Sequence, residues 1–412
     1  MDKKLIFLFI VLSLAACSVA PTLPLETETP TQSVLESGAG ATQTAPTLMP
    51  LIPTATQIPT ATPEPTVLKA TVWTEDPQIP ILNYHRFIPD HMQETGMKIR
   101  ISTFKAHLEQ LYAAGYSLIS LDDLLAGSLV VPEGRRPLVI SMDDAYFADQ
   151  IYLDQDGLPS EQCGVGVLYA FSQAHPEFGF AVALFANFGD KYYGNEYRNG
   201  WWYLGDNWQE DLAKTIVWGI EHNVMPYNHL YRHPKLDITE EKDILPQAYL
   251  NDEALRNYLA LAERSDLVDQ ISNYIALPYG IWPATQRGKD LLLGYTDPEG
   301  KPVRAVFEAG YEYSPAYALA PFAEGFDPFH IPRMAGISPS ITAIISAAET
   351  FPVASNCDLE IPGGLAISDV GVIESAIFDA VKAERCAEGV YILETGIYQA
   401  QEGLVIQLEM QP

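Results

Sequence analysis

Apolar positions along the chain change period several times, and each change marks an element. Residues 79–84 form a short apolar run that predicts a strand. Across 103–114, Phe104, Leu108 and Leu111 fall at helical spacing, and Gly115 supplies the stop. Residues 138–142 and 180–185 predict two more buried strands. Residues 208–220 predict a helix with Leu212, Ile216 and Ile220 on one face. A helix is expected over 254–262, with Asn251 or Asp252 placed to cap it, and a strand over 274–277. Such alternation implies an α/β fold whose parallel strands are joined by crossover helices, in an open sheet or a barrel.

The ends of the chain follow a different pattern. Lys3 and Lys4 precede an apolar run over 5–14, and the small residues Ala15 and Ala16 lead to Cys17. That order predicts an export signal whose core is too short to span a bilayer. Leu14-Ala15-Ala16-Cys17 resembles the bacterial lipobox. The resemblance implies a lipoprotein signal peptide over 1–17 and a mature chain held to the outer face of the cell membrane by lipid on Cys17. Residues 18–66 contain no Lys, Arg or aromatic residue, while Pro and Thr recur in them. With almost nothing to bury, residues 18–70 are expected to be a disordered linker, leaving 71–412 as the folded domain.

Charge and cysteine content narrow the partners. The formal net charge of −29 is spread along the sequence, which argues against nucleic acid and against adhesion to anionic lipid other than through the anchor. Outside the cytoplasm a Cys357–Cys386 disulfide is open to form, with Cys163 left free.

Several residues could carry chemistry. Asp143-Asp144 ends an apolar strand, where α/β folds keep their ligand sites, and the two carboxylates can divide into a metal ligand and a base. His229 and His233, spaced i and i+4, would share one face of a helical turn and offer two nitrogens to one metal ion. In Pro278-Tyr279-Gly280 a backbone N–H could receive a developing oxyanion. The stretch Asn199-Gly200-Trp201-Trp202-Tyr203 offers either a sugar-stacking surface or the core of an inserted loop.

Taken in order, Pro80-Ile81-Leu82-Asn83-Tyr84-His85, Ser141-Met142-Asp143-Asp144, His229-Leu230-Tyr231-Arg232-His233-Pro234 and Leu277-Pro278-Tyr279-Gly280 are similar to the motifs of the NodB-homology polysaccharide deacetylases, carbohydrate esterase family 4. The resemblance implies a distorted (β/α) barrel with insertions and a hydrolase that removes N-acetyl or O-acetyl groups from a cell-surface or extracellular polysaccharide. Asp144, His229 and His233 would hold a divalent metal, with zinc expected. Asp143 would be the general base and the Tyr279 N–H the oxyanion donor. On that basis Asp143→Asn should lower turnover while leaving folding and metal content nearly intact.

The chain also departs from the pattern. Ala145 and Leu230 replace motif residues, and no Arg precedes the Pro-Tyr-Gly turn at the usual place. The family's closing strand, which delivers a histidine as general acid, corresponds to residues 390–393, followed by Glu394. Glu394, His330 and His85 are then the candidate proton donors. A second reading is a catalytically inactive deacetylase fold that binds glycan without turnover.

Overall fold

The computed structural model describes residues 63–189, 207–309 and 316–410. The export signal with Cys17, the linker before residue 63 and the Asn199–Tyr203 stretch lie outside the described residues.

Short apolar runs form the central sheet because parallel strands covered by helices are buried on both faces. After β1 (Thr66–Trp73), its strands are β2 (Ile81–Tyr84), β3 (Tyr116–Leu118), β4 (Arg136–Ala145), β5 (Val182–Ala186), β6 (Val224–Asn228), β7 (Tyr274–Ala276), β8 (Ala305–Phe307) and β9 (Met334–Ala335). The order is β8-β7-β6-β5-β4-β2-β9, with β3 pairing β4 off this path, and each of these pairings is parallel.

The two ends of this order meet. Ile331 N donates to Val306 O at 3.1 Å and Glu308 N to Ile331 O at 2.9 Å, so the segment leading into β9 also pairs with β8. β9 then pairs with β2 through Met334 and Leu82. The sheet is therefore a distorted (β/α) barrel, closed by an isolated bridge and a two-residue strand.

Helices α1 (Ile101–Ala113), α2 (Gly164–Ala174), α3 (Trp208–Glu221), α4 (Glu241–Leu261), α5 (Gln286–Leu293) and α6 (Ser338–Ala348) lie between or after the barrel strands. The expected apolar stripes are the buried ones: Phe104, Leu108 and Leu111 on α1, and Leu212, Ile216 and Ile220 on α3. The expectation for α4 fails. It runs 21 residues, so Asn251 and Asp252 sit in its interior rather than at its cap. Pro246 and these two polar residues break the apolar stripe, which hid the first half of the helix from its periodicity.

A second sheet, antiparallel throughout, has the order β10 (Ser355–Ile361), β1, β11 (Gly389–Leu393), β12 (Gly396–Gln401) and β13 (Leu404–Gln407). Helix α7 (Val370–Lys382) covers it, and the Cys357–Cys386 disulfide spans 5.7 Å between Cα atoms. Cys163 is free and buried.

Two expectations are corrected here. Residues 66–70, assigned to the linker, are strand β1, where Ala70 and Val72 join the core of the second sheet. Residues 390–393 are not the closing strand of the barrel. They pair with β1 and β12 in the second sheet, and Glu394 lies in the turn that joins β11 to β12.

Candidate functional site

Strand β4 delivers both aspartates to the C-terminal mouth of the barrel. Alternation along a strand would aim them at opposite faces. Instead Asp144 takes left-handed backbone (φ 54°) and the register with β5 shifts between Met142 and Ala145. The irregularity re-aims the second carboxylate, as bulges next to functional sites commonly do.

His229 immediately follows β6. Its N–H donates to Ala186 O at 2.9 Å, and its Nδ1 lies 2.9 Å from Ala276 O. A carbonyl can only accept, so Nδ1 carries the proton and Nε2 presents its lone pair. Nε2 lies 3.8 Å from Asp143 Oδ2 and 3.9 Å from Asp144 Oδ1. Burial lowers the His229 pKa to about 4 against the opposing pull of Asp143, so the ring is neutral near pH 7.

His233 Nε2 is 3.5 Å from Asp144 Oδ1, and the two imidazole centroids are 4.9 Å apart. The expected helical turn is not what brings them together. Residues 229–233 form an irregular turn in which Leu230 (φ 61°) and His233 (φ 49°) are left-handed. The spacing of four succeeds because the turn folds back on itself.

One oxygen of Asp144 and one nitrogen from each histidine lie within 4.8 Å of one another. Tetrahedral zinc with bonds of about 2.0–2.2 Å needs donors roughly 3.3–3.6 Å apart, close to the 3.9 and 3.5 Å that separate Asp144 Oδ1 from His229 Nε2 and His233 Nε2. Two imidazoles and one carboxylate also form a catalytic zinc donor set that leaves a position open. The residues fit a divalent ion, and they are a possible metal-binding triad. Asn187 Nδ2 donates to Asp144 Oδ1 at 2.8 Å and orients that carboxylate.

Asp143 is buried and held by three donors. Arg333 Nη1 and Nη2 reach Oδ1 and Oδ2 at 2.6 and 2.8 Å, and Asn83 Nδ2 reaches Oδ2 at 2.9 Å. Burial pushes the Asp143 pKa up, but Arg333 and His229 more than reverse this and leave it well below the usual carboxylate range. Arg333 is itself fully buried, donates through Nε to Glu308 O at 3.1 Å, and packs over the Phe185 ring. Sequence reasoning missed it. It reaches Asp143 from a position 190 residues further along the chain. A lone cation in the apolar run Ile331-Pro332-Arg333-Met334 was the one available signal.

Tyr279 is left-handed (φ 57°), and its N–H has no backbone acceptor among the described residues. Its ring meets His233 edge-on at 4.4 Å, which puts the turn beside the triad. The candidate proton donors fare differently. Glu394 belongs to the second sheet. His330, half exposed on the segment that closes the barrel, holds Glu308 Oε1 at 2.8 Å, and Trp282 Nε1 donates to the same oxygen at 2.6 Å. His85, half-buried, follows β2, and the charges of Asp143 and Asp144 partly oppose the lowering of its pKa by desolvation.

No family model matches the chain, and no curated protein matches it. The solved structures to which it is similar include three that overlap about two thirds of it. One is a polysaccharide deacetylase from Bacillus cereus, BC0361 (13% identity, 66% of this chain and 69% of that one, TM-score 0.42). Another is the deacetylase PplD of Streptococcus pyogenes, solved with acetate (12% identity, 65% and 98%, TM-score 0.39). The third is IcaB from Ammonifex degensii (16% identity, 67% and 98%, TM-score 0.41).

Proposed function

We propose that the chain is a zinc-dependent hydrolase that removes N-acetyl groups from an extracellular polysaccharide. The observation that carries this reading is the group Asp144, His229 and His233 beside an ionised, clamped Asp143 at the mouth of the barrel. Bound by that group, zinc would supply a Lewis acid and an acidified water.

The chain's own residues would do the rest. Asp143 accepts the proton of the attacking water, with Arg333 and Asn83 fixing its direction. The free N–H of Tyr279 donates to the acetyl oxygen as it gains charge. A histidine, His85 or His330, returns a proton to the sugar nitrogen as the C–N bond breaks, giving acetate and a free amine. The lipobox at Leu14–Cys17 supports a lipid-anchored protein on the outer face of the cell membrane.

The test is acetate release from chitin oligomers and peptidoglycan by parent, chelator-treated and zinc-reloaded protein. Release that chelation abolishes and zinc restores is the expected result. Cys17→Ala should likewise abolish partition into the detergent phase, and unchanged partition would refute the anchor. One observation favours the non-catalytic reading: a carboxylate held this far below neutrality is a weak base. If the parent binds an N-acetylated glycan yet releases no acetate from any, that reading replaces the hydrolase.

A further inference from the structure

We infer that helix α4 is the template for the metal centre, and that its mid-helix residue Asn251 is a positioning residue that sets the affinity of Asp144, His229 and His233 for a divalent ion. The inference rests on the metal-site reading above and assigns a role to a residue that touches none of the ligands.

Asn251 is buried in the interior of α4, where a polar side chain without partners would be costly. Both its polar atoms are used. Nδ2 donates to Ala186 O at 2.9 Å, and Oδ1 accepts from Phe188 N at 2.9 Å. These contacts bracket Asn187, the residue that donates to Asp144 Oδ1. Ala186 O also accepts from His229 N, so one carbonyl ties Asn251 to the backbone of a second ligand.

The same face of the helix holds the turn of the third ligand. Gln247, one turn earlier, accepts Tyr231 N at its backbone carbonyl and Arg232 N at Oε1, each at 2.9 Å. Asp252 accepts Asn228 Nδ2 at 2.7 Å, and Asn228 Oδ1 accepts Leu230 N at 2.8 Å, at the left-handed residue between the histidines. Two loops that share no strand are thereby set against one rigid rod. Groups that orient metal ligands typically change affinity by about 10- to 100-fold when removed.

The experiment measures zinc affinity by competition with a chromophoric chelator, and apoprotein Tm, for the parent, Asn251→Ala, Asn251→Asp and Leu259→Ala. Leu259 is a fully buried apolar residue two turns further along the same helix, so its truncation lowers Tm while the hydrogen bonds of Asn251 and Gln247 to the two loops keep their partners. The expected result is a loss of about 10- to 100-fold in zinc affinity for Asn251→Ala, with Leu259→Ala within about twofold of the parent despite its lower Tm. If Asn251→Ala does not fold, Asn251→Asp, which keeps the acceptor for Phe188 N and loses the donor to Ala186 O, is read in its place with the same expectation. Unchanged affinity in the folded Asn251 variant overturns the inference, as does an equal loss in Leu259→Ala. If the parent binds no zinc, both the inference and the metal reading fall. A parent that binds zinc beside an unaffected Asn251 variant removes the inference alone.

Discussion

The barrel mouth and the second sheet, built from one chain, solve opposite problems. At the mouth, Asp144, Leu230, His233 and Tyr279 all carry left-handed backbone, which costs roughly 1–3 kcal/mol per residue. Charge is buried there too, in Asp143 and Arg333, alongside the polar Asn83, Asn187 and His229. In the second sheet, left-handed non-glycine residues occupy ordinary turns, Glu384 after α7 and Glu402 between β12 and β13. Its core includes Val72, Leu359, Ile361, Ile373 and Ile377, with a disulfide across it. Strain and desolvated charge gather where chemistry is proposed, while apolar burial and a cross-link serve stability alone.

The sharpest way to break this contrast is to strike each region once and compare losses. Asp144→Asn should bring zinc binding and acetate release down to background, because a neutral amide oxygen is a poor partner for a divalent ion. Arg333→Met should lose both stability and turnover. It leaves Asp143 buried without a countercharge, at a cost of about 3–5 kcal/mol in denaturant unfolding. By the same argument Asp143→Asn strands the Arg333 guanidinium, so the expectation that this isosteric change spares the fold is withdrawn. Replacing Cys357 and Cys386 together by Ser should cost about 2–4 kcal/mol by unfolding. Zinc affinity and acetate release per folded molecule should stay at the parent level. A loss of zinc affinity in that variant would mean that the two regions are coupled.

The parts legible in the sequence are those whose signal is local. Apolar runs marked β2, β4, β5 and β7. The pair Asp143-Asp144 at a strand end, the four-residue spacing of His229 and His233, and the turn at Tyr279 each point to the mouth, where the structure brings them together. What escaped depends on distant contacts. Arg333 meets Asp143 only because the segment before β9 closes the barrel between β8 and β2. Residues 66–70 of β1 were lost to the linker because their partners lie near the other end of the chain, Lys69 facing Asp358 and Ala70 facing Cys357. Residues 390–393 have the apolar character of a closing strand, and apolar character alone cannot say which sheet a strand joins. Asn251 and Asp252 resemble cap residues by type, and their tertiary contacts give them a different task.

The smallest expected effect also tests whether the buried polar groups behind the mouth carry a stability cost. Asp252 lies within α4, and its carboxylate accepts Asn228 Nδ2 and the Tyr295 hydroxyl, each at 2.7 Å. Burial raises its pKa to about 7, against the pull of those two hydrogen bonds and with Asp297 and Glu299 adding to the rise. In the unfolded chain an aspartate titrates near 3.9. Between about pH 4 and pH 7 the unfolded state has therefore released a proton that the folded state retains, so stability falls as pH rises through that window and levels off above it. The Asp252 contribution to this fall is roughly 2 kcal/mol between pH 5 and 7. Asp252→Asn should remove that contribution. The amide keeps an acceptor for Asn228 Nδ2, and its NH₂ can donate to the Tyr295 hydroxyl, which both donates and accepts. Denaturant unfolding of parent and variant at a series of pH values measures the difference between the two curves, in which every other titrating group cancels to first order. The variant should gain stability relative to the parent as pH rises from about 5 to 7, and parallel curves would show that Asp252 is already ionised in the folded protein at pH 5.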